Sequence, residues 1–152
     1  MPQPPGAAAG APARSGGSTS VGTASLVGYD ASADAKAALA AAFQQAKADG
    51  RNVLLDFGAS WCGNCKAVDG LYTNATVKPV LDAGFHVVKV DIGDQSATNF
   101  GILQTYDPKG PYTMPVLIVV APDGSVRADT HRSGLPQLTA GGFSAFLAQN
   151  AK

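Results

Sequence analysis

Glutamate is absent: all eleven acidic residues are aspartates, and eleven lysines and arginines balance them to a net charge of zero. Binding to nucleic acid or to an anionic membrane surface needs a basic field. Neither that balance nor any basic run supplies one. Long apolar runs are missing too, and nothing approaches the roughly 18 residues of a membrane-spanning helix. Cysteine is scarce, with two in 152 residues. A disulfide-stapled miniprotein and a four-cysteine zinc centre are therefore excluded. What is present suffices for one compact domain: 45% of the 152 residues are hydrophobic and 14% charged, and two full domains would be cramped. The two cysteines, Cys62 and Cys65, stand three positions apart, and that spacing is the most informative feature of the chain.

Residues 1–25 consist mainly of Pro, Gly, Ala, Ser and Thr, with Arg14 as the only charge and no Leu, Ile or Phe. Such a composition buries too little apolar surface to offset the entropy of ordering. Residues 1–28 therefore read as a tether and 29–152 as the domain. The segment lacks the basic and apolar regions of a signal peptide. It is either a spacer that followed a removed signal or lipid anchor, or a terminus without further role.

Within the domain, Ser32 or Asp34 can cap a helix over 35–48, with Leu39, Phe43 and Ala46 on one face and Asp49-Gly50 as its stop. Residues 52–57 form an apolar run of β-formers, expected as a central strand. A helix is expected from Cys62 to about Tyr72, and another over 76–83, broken or shifted near Pro79. Residues 85–92 give a second strand. A helix over 96–106 is weakened by Gly101, and 107–111 is a loop. Residues 116–121 and 125–130, joined by the turn Pro122-Asp-Gly124, read as a hairpin. A terminal helix starting at Thr139 or Gly141 places Phe143, Phe146 and Leu147 at helical spacing. Strands that alternate with helices imply an α/β fold: a mixed central sheet with helices on both faces, closed by a C-terminal β-hairpin and helix.

The chemistry sits in Trp61-Cys-Gly-Asn-Cys-Lys66. Two cysteines so spaced can close a small disulfide ring if the first lies at a helix N-terminus and the second one turn inside. Free N–H groups and the positive helix end favour the thiolate of Cys62 over its thiol. Cys62 would attack a partner disulfide, and Cys65 would displace that partner from within the same turn. Gly63 lets the ring form without a side-chain clash, and Trp61 offers an apolar lip. The pair could also be half of a zinc site completed by His86 and His131. However, those histidines lack ligand spacing and no second such pair exists. A lone histidine in a β-run, as at His86, is more often a surface or edge residue. A purely structural disulfide is a further reading.

On the residues Val53-Leu-Leu-Asp-Phe57, Trp61-Cys-Gly-Asn-Cys-Lys66 and Thr113-Met-Pro-Val-Leu117, the chain resembles the thioredoxin superfamily over roughly 35–150. It looks most like its bacterial extracytoplasmic members, including reductase domains fused to membrane thiol transporters. The resemblance implies a thioredoxin fold and a thiol–disulfide oxidoreductase, an enzyme acting on protein cysteines through the redox-active Cys62–Cys65 pair. It implies no metal, organic cofactor or nucleic acid. A membrane thiol transporter or thioredoxin-like donor would be the electron source, and the location would be extracytoplasmic, with the cytoplasm not excluded.

Pro115 matches the family's cis-proline, leaving the Met114 backbone to pair with a bound peptide. Asp56 matches the buried acid behind the resolving cysteine, where desolvation raises a carboxyl pKa and allows a proton relay to Cys65. Lys89 matches the lysine that pairs with that acid, or else faces solvent from its strand. Asn64 departs from the proline of the most reducing members. Family potentials run from about −270 to about −120 mV; the resemblance implies a reductant first, with a disulfide donor or isomerase as the alternative. A thioredoxin-fold binding module without catalysis is the remaining alternative.

Overall fold

The computed structural model describes residues 26–93 and 97–151. The Pro/Gly-rich stretch 1–25 lies outside the described residues. Helix α1 (Ala35–Asp49) starts at Asp34, whose carboxylate accepts a hydrogen bond from the Ala37 N–H. It stops at Gly50, whose φ of 79° is a left-handed conformation that glycine adopts without a Cβ clash. Small side chains let this helix lie close against the sheet: Ala35, Ala42 and Ala46 are buried.

Strands β1 (Asn52–Gly58), β2 (Phe85–Asp91), β3 (Val116–Val120) and β4 (Val126–Asp129) form one sheet in the order β2-β1-β3-β4. β1 pairs in parallel with β2 and antiparallel with β3, which pairs antiparallel with β4. Every residue of β1 is buried, Asp56 included, as befits a central strand.

Strand geometry sends alternate side chains to opposite faces. Val53, Leu55 and Phe57 join α1 and α4 (Ala97–Tyr106) in one core. Leu54, Val87, Leu117 and Val119 pack instead against α2 (Gly63–Tyr72), α3 (Lys78–Gly84) and α6 (Ala140–Asn150), through Val68, Leu81, Phe143 and Leu147. Helices thus cover both faces of a mixed sheet, the thioredoxin-fold arrangement. The same alternation carries Asp56 and Lys89, which are register partners, onto the α2 face.

Of the local expectations, the helix over 96–106 and the shift of the preceding helix at Pro79 stand, and the end of the return strand is corrected. The helix expected over 76–83 is shifted at Pro79: α3 starts at Lys78, with the proline in its first turn, where no N–H is needed. The weak helix near Gly101 is formed as α4, because Ile102 and Leu103 bury against the sheet and outweigh the glycine. The return strand ends at Asp129 rather than Thr130. Asp129 caps a short helix, α5 (Thr130–Ser133), by accepting from the His131 N–H, and the Thr130 hydroxyl accepts from the Leu117 N–H at 2.9 Å. No helix among the described residues is long and apolar enough to cross a membrane.

Candidate active site

The turn after β1 delivers Cys62 to the start of α2. Its backbone is extended (φ −83°, ψ 125°), it is the N-cap, and its Sγ accepts a hydrogen bond from the Cys65 N–H at 3.2 Å. A sulfur in that place takes the position of a capping oxygen and faces free N–H groups at the positive end of the helix. Both cysteines are free thiols; Cys62 is 9% exposed and Cys65 is fully buried. Burial, with the hydrogen bond to Cys62 adding to it, pushes the Cys65 thiol up to about 12. Left to itself, Cys65 is a poor nucleophile at neutral pH. Gly63 and Asn64 follow in the first turn of α2, both exposed.

Behind Cys65 lies Asp56, fully buried on β1. Two phenols donate to its carboxylate, Tyr29 at 2.5 Å and Tyr72 at 2.7 Å. Burial raises its pKa to about 6, although the Tyr29 hydrogen bond and the Lys89 charge oppose the rise. Lys89 is buried as well, but its ion-pair partner is Asp69 of α2, not Asp56. Asp56 already accepts two hydroxyl hydrogen bonds, so the ammonium reaches across to the neighbouring helix. The Lys89 Nζ also donates to the Leu26 carbonyl at 3.0 Å and lies 4.1 Å from the centroid of the Tyr29 ring. Leu26 and Gly28, placed by composition with the tether, touch this cluster directly: the Gly28 N–H donates to Asp69 at 2.8 Å.

On the other flank, the Met114–Pro115 peptide is cis, as is Gly110–Pro111. Met114 and Tyr29 pack against the small cluster of Ala59, Cys62 and Cys65. Trp61, 68% exposed, borders a groove of about 380 Å³ shared with Phe100, Pro111, Tyr112 and Met114. The loop that forms the far wall is fastened to α5. The Tyr112 ring packs against His131 at a tilt of 53°, with centroids 4.8 Å apart, and His131 Nε2 lies 2.7 Å from the Lys109 carbonyl.

His86 stands on β2, an edge strand of the sheet. It is 6% exposed and bonds Asp49 at 2.8 Å, and burial lowers its pKa. Both histidines are thus engaged away from the cysteines. No group of three or more potential ligands among the described residues is placed to hold a metal ion.

Sequence reasoning missed Tyr29, Asp69 and Tyr72. The signals were thin: a tyrosine just before α1, and an aspartate and a tyrosine one and two turns past Cys65, with nothing to tie them to Asp56.

Comparison with known proteins bears on the same elements. Thiol:disulfide interchange protein DsbD 2 of Pseudomonas aeruginosa is 33% identical over 101 residues, which is 66% of this chain but only 16% of that protein. A disulphide isomerase from Xylella fastidiosa Temecula1 superimposes with a TM-score of 0.71 at 30% identity, covering 81% of this chain and 95% of the other. The C-terminal domain of Neisseria meningitidis DsbD in its oxidised form gives 0.63 at 28% identity, covering 78% and 97%. A family model described as thioredoxin-like matches residues 34–122, a span that takes in both cysteines and Pro115. The chain belongs to that thioredoxin-like family.

Proposed function

We propose that this chain is a thiol–disulfide oxidoreductase acting on protein cysteines, with Cys62 as nucleophile and Cys65 as resolver. The observation that carries the reading is the helix-start geometry: Cys62 Sγ accepts the Cys65 N–H at 3.2 Å while Cys65 is sealed behind it. Cys62 thiolate attacks a substrate disulfide, and one substrate sulfur leaves as a thiolate. Cys65 then loses its proton and attacks Cys62 Sγ, which releases the second substrate sulfur and leaves a Cys62–Cys65 disulfide. The substrate gains two electrons and the chain loses two. A partner dithiol restores the pair, so the chemistry needs no metal or organic cofactor.

Trp61, Met114 and cis-Pro115 would seat the substrate segment beside Cys62. Similarity to DsbD proteins supports a reductant that works outside the cytoplasm and is recharged by a membrane thiol transporter or a thioredoxin-like donor. Similarity to the Xylella disulphide isomerase, with Asn64 between the cysteines, favours a second reading as isomerase or disulfide donor. Equilibration with glutathione separates the two: a potential well above about −180 mV assigns the donor role.

Insulin reduction by dithiothreitol tests the activity itself. The wild-type chain is expected to accelerate insulin precipitation, and Cys62→Ser to fall to the rate without protein. Equal acceleration by Cys62→Ser would rule out the assignment.

A further inference from the structure

The resolving step requires a proton to leave Cys65, which is fully buried. The base that could accept it, Asp56, is shielded by two tyrosines. Their positions are not equivalent. Tyr72 is a member of the apolar cluster under α2, α3 and α6. Tyr29 packs against Cys62 and Cys65. Its hydroxyl and the Cys65 sulfur converge over Gly58: a Cβ placed there would lie 2.5 Å from Tyr29 Oη and 2.6 Å from Cys65 Sγ. Glycine at 58 is what leaves room for both atoms. Tyr29 Oη therefore lies no more than about 5 Å from the Cys65 sulfur and donates to the Asp56 carboxylate at 2.5 Å. Three further contacts hold the residue: Tyr29 N–H donates to Ser60 Oγ at 3.0 Å, the Ser60 hydroxyl donates to the Tyr29 carbonyl at 3.3 Å, and the Lys89 ammonium lies over the ring.

We infer that Tyr29 carries the proton between Cys65 and Asp56 during resolution. This rests on the oxidoreductase reading and adds a residue to it. As Cys65 attacks Cys62 Sγ, the Cys65 proton passes to Tyr29 Oη and the phenolic proton passes to Asp56. Cys65 becomes the attacking thiolate, Tyr29 ends neutral, and Asp56 ends as the neutral acid. The electron pair of the broken mixed disulfide leaves on the substrate sulfur. When a dithiol reduces the pair, the same path runs backwards and returns the proton to Cys65. Tyrosinate is not an intermediate, because burial and the Asp56 charge hold the Tyr29 pKa far above the ordinary phenol range. Asp56 feels Tyr29, Lys89, Tyr72 and Asp69, and Cys65 feels Cys62 and Asp56. Of these groups, Tyr29 alone packs against the cysteine cluster and also bonds the Asp56 carboxylate.

The test uses 5,5′-dithiobis(2-nitrobenzoate) on the reduced full-length chain, read by stopped-flow absorbance across pH 5–9. The first coloured thiolate reports attack by Cys62, and the second reports resolution by Cys65. In wild type, the second rate is expected to rise through about pH 6, where Asp56 loses its proton, and then to level off. Tyr29→Phe keeps the ring under Lys89. It is expected to leave the first release intact, slow the second by about 10²-fold at pH 7, and remove the plateau. A circular-dichroism spectrum and urea midpoint matching wild type show that the variant is folded.

A Tyr29 that merely buttresses Asp56 would move the inflection upward, because its hydrogen bond lowers that pKa, and would keep the plateau rate; that result overturns the relay. An unchanged second release overturns it too. Loss of the first release from wild type would instead overturn the oxidoreductase reading on which the relay depends.

Discussion

Asp56 is the residue at which function and stability pull apart. Its pKa is about 6 in the fold against an ordinary 3.8, and burial is the first cause. A carboxyl with a raised folded-state pKa holds a proton that the unfolded chain has already released between those values. Its contribution therefore favours the fold below about pH 4 and is lost as pH rises through about 6. The full difference is about 3 kcal/mol. The stability of wild type relative to Asp56→Asn is accordingly expected to fall by about that amount between pH 4 and pH 7, measured by urea unfolding at each pH. Curves that stay parallel across this window would show that Asp56 titrates normally. A buried carboxyl kept at such a cost makes sense as a base held ready for Cys65, and Asp56 was visible as an acid six residues before Cys62. Its two hydroxyl donors were not, because Tyr29 is 27 residues upstream and Tyr72 is 16 downstream.

Helix α6 joins this site to the rest of the core. Phe143 is fully buried and meets Tyr72 edge-on, with ring centroids 6.0 Å apart. Phe143→Ala leaves a ring-sized cavity beneath the tyrosine that holds Asp56, and is expected to cost about 3–5 kcal/mol of unfolding free energy. Urea titration measures it; a loss under about 1 kcal/mol would mean that α6 is not part of the core as described.

Among the elements, β3 was legible as a continuous apolar run, and β1 and β2 as short stretches rich in β-formers. Helix α1 was legible from its alanines and its stop at Gly50. Helix α5 was not, since alternation in the sequence runs on into Thr130. What ends the strand is the Asp129 side chain turning back to cap His131, a contact that periodicity cannot register.

On the scale of the whole molecule, the site draws on separate pieces of chain brought to one end of the sheet. These are the segment before α1 with Tyr29, the end of β1 with Asp56 and Gly58, the start of α2 with Cys62 and Cys65, β2 with Lys89, and the loop before β3 with Met114 and Pro115. The motif that singles out the cysteines was plain in the sequence. The pairing of Lys89 with Asp56 was implied by the family resemblance; in the fold Lys89 pairs with Asp69 of α2, which no sequence pattern links to it, while its charge still acts on Asp56.

All of these pieces serve one division of labour, in which the less buried sulfur attacks and the fully sealed one resolves. Incubating Cys65→Ser and Cys62→Ser separately with a peptide disulfide, and weighing the products by mass spectrometry, tests that division most directly. Cys65→Ser should accumulate a one-to-one mixed disulfide through Cys62. Cys62→Ser should stay unmodified at neutral pH, because its remaining thiol is buried and pushed up to about 12. Equal trapping by both variants, or trapping by Cys62→Ser alone, would contradict it.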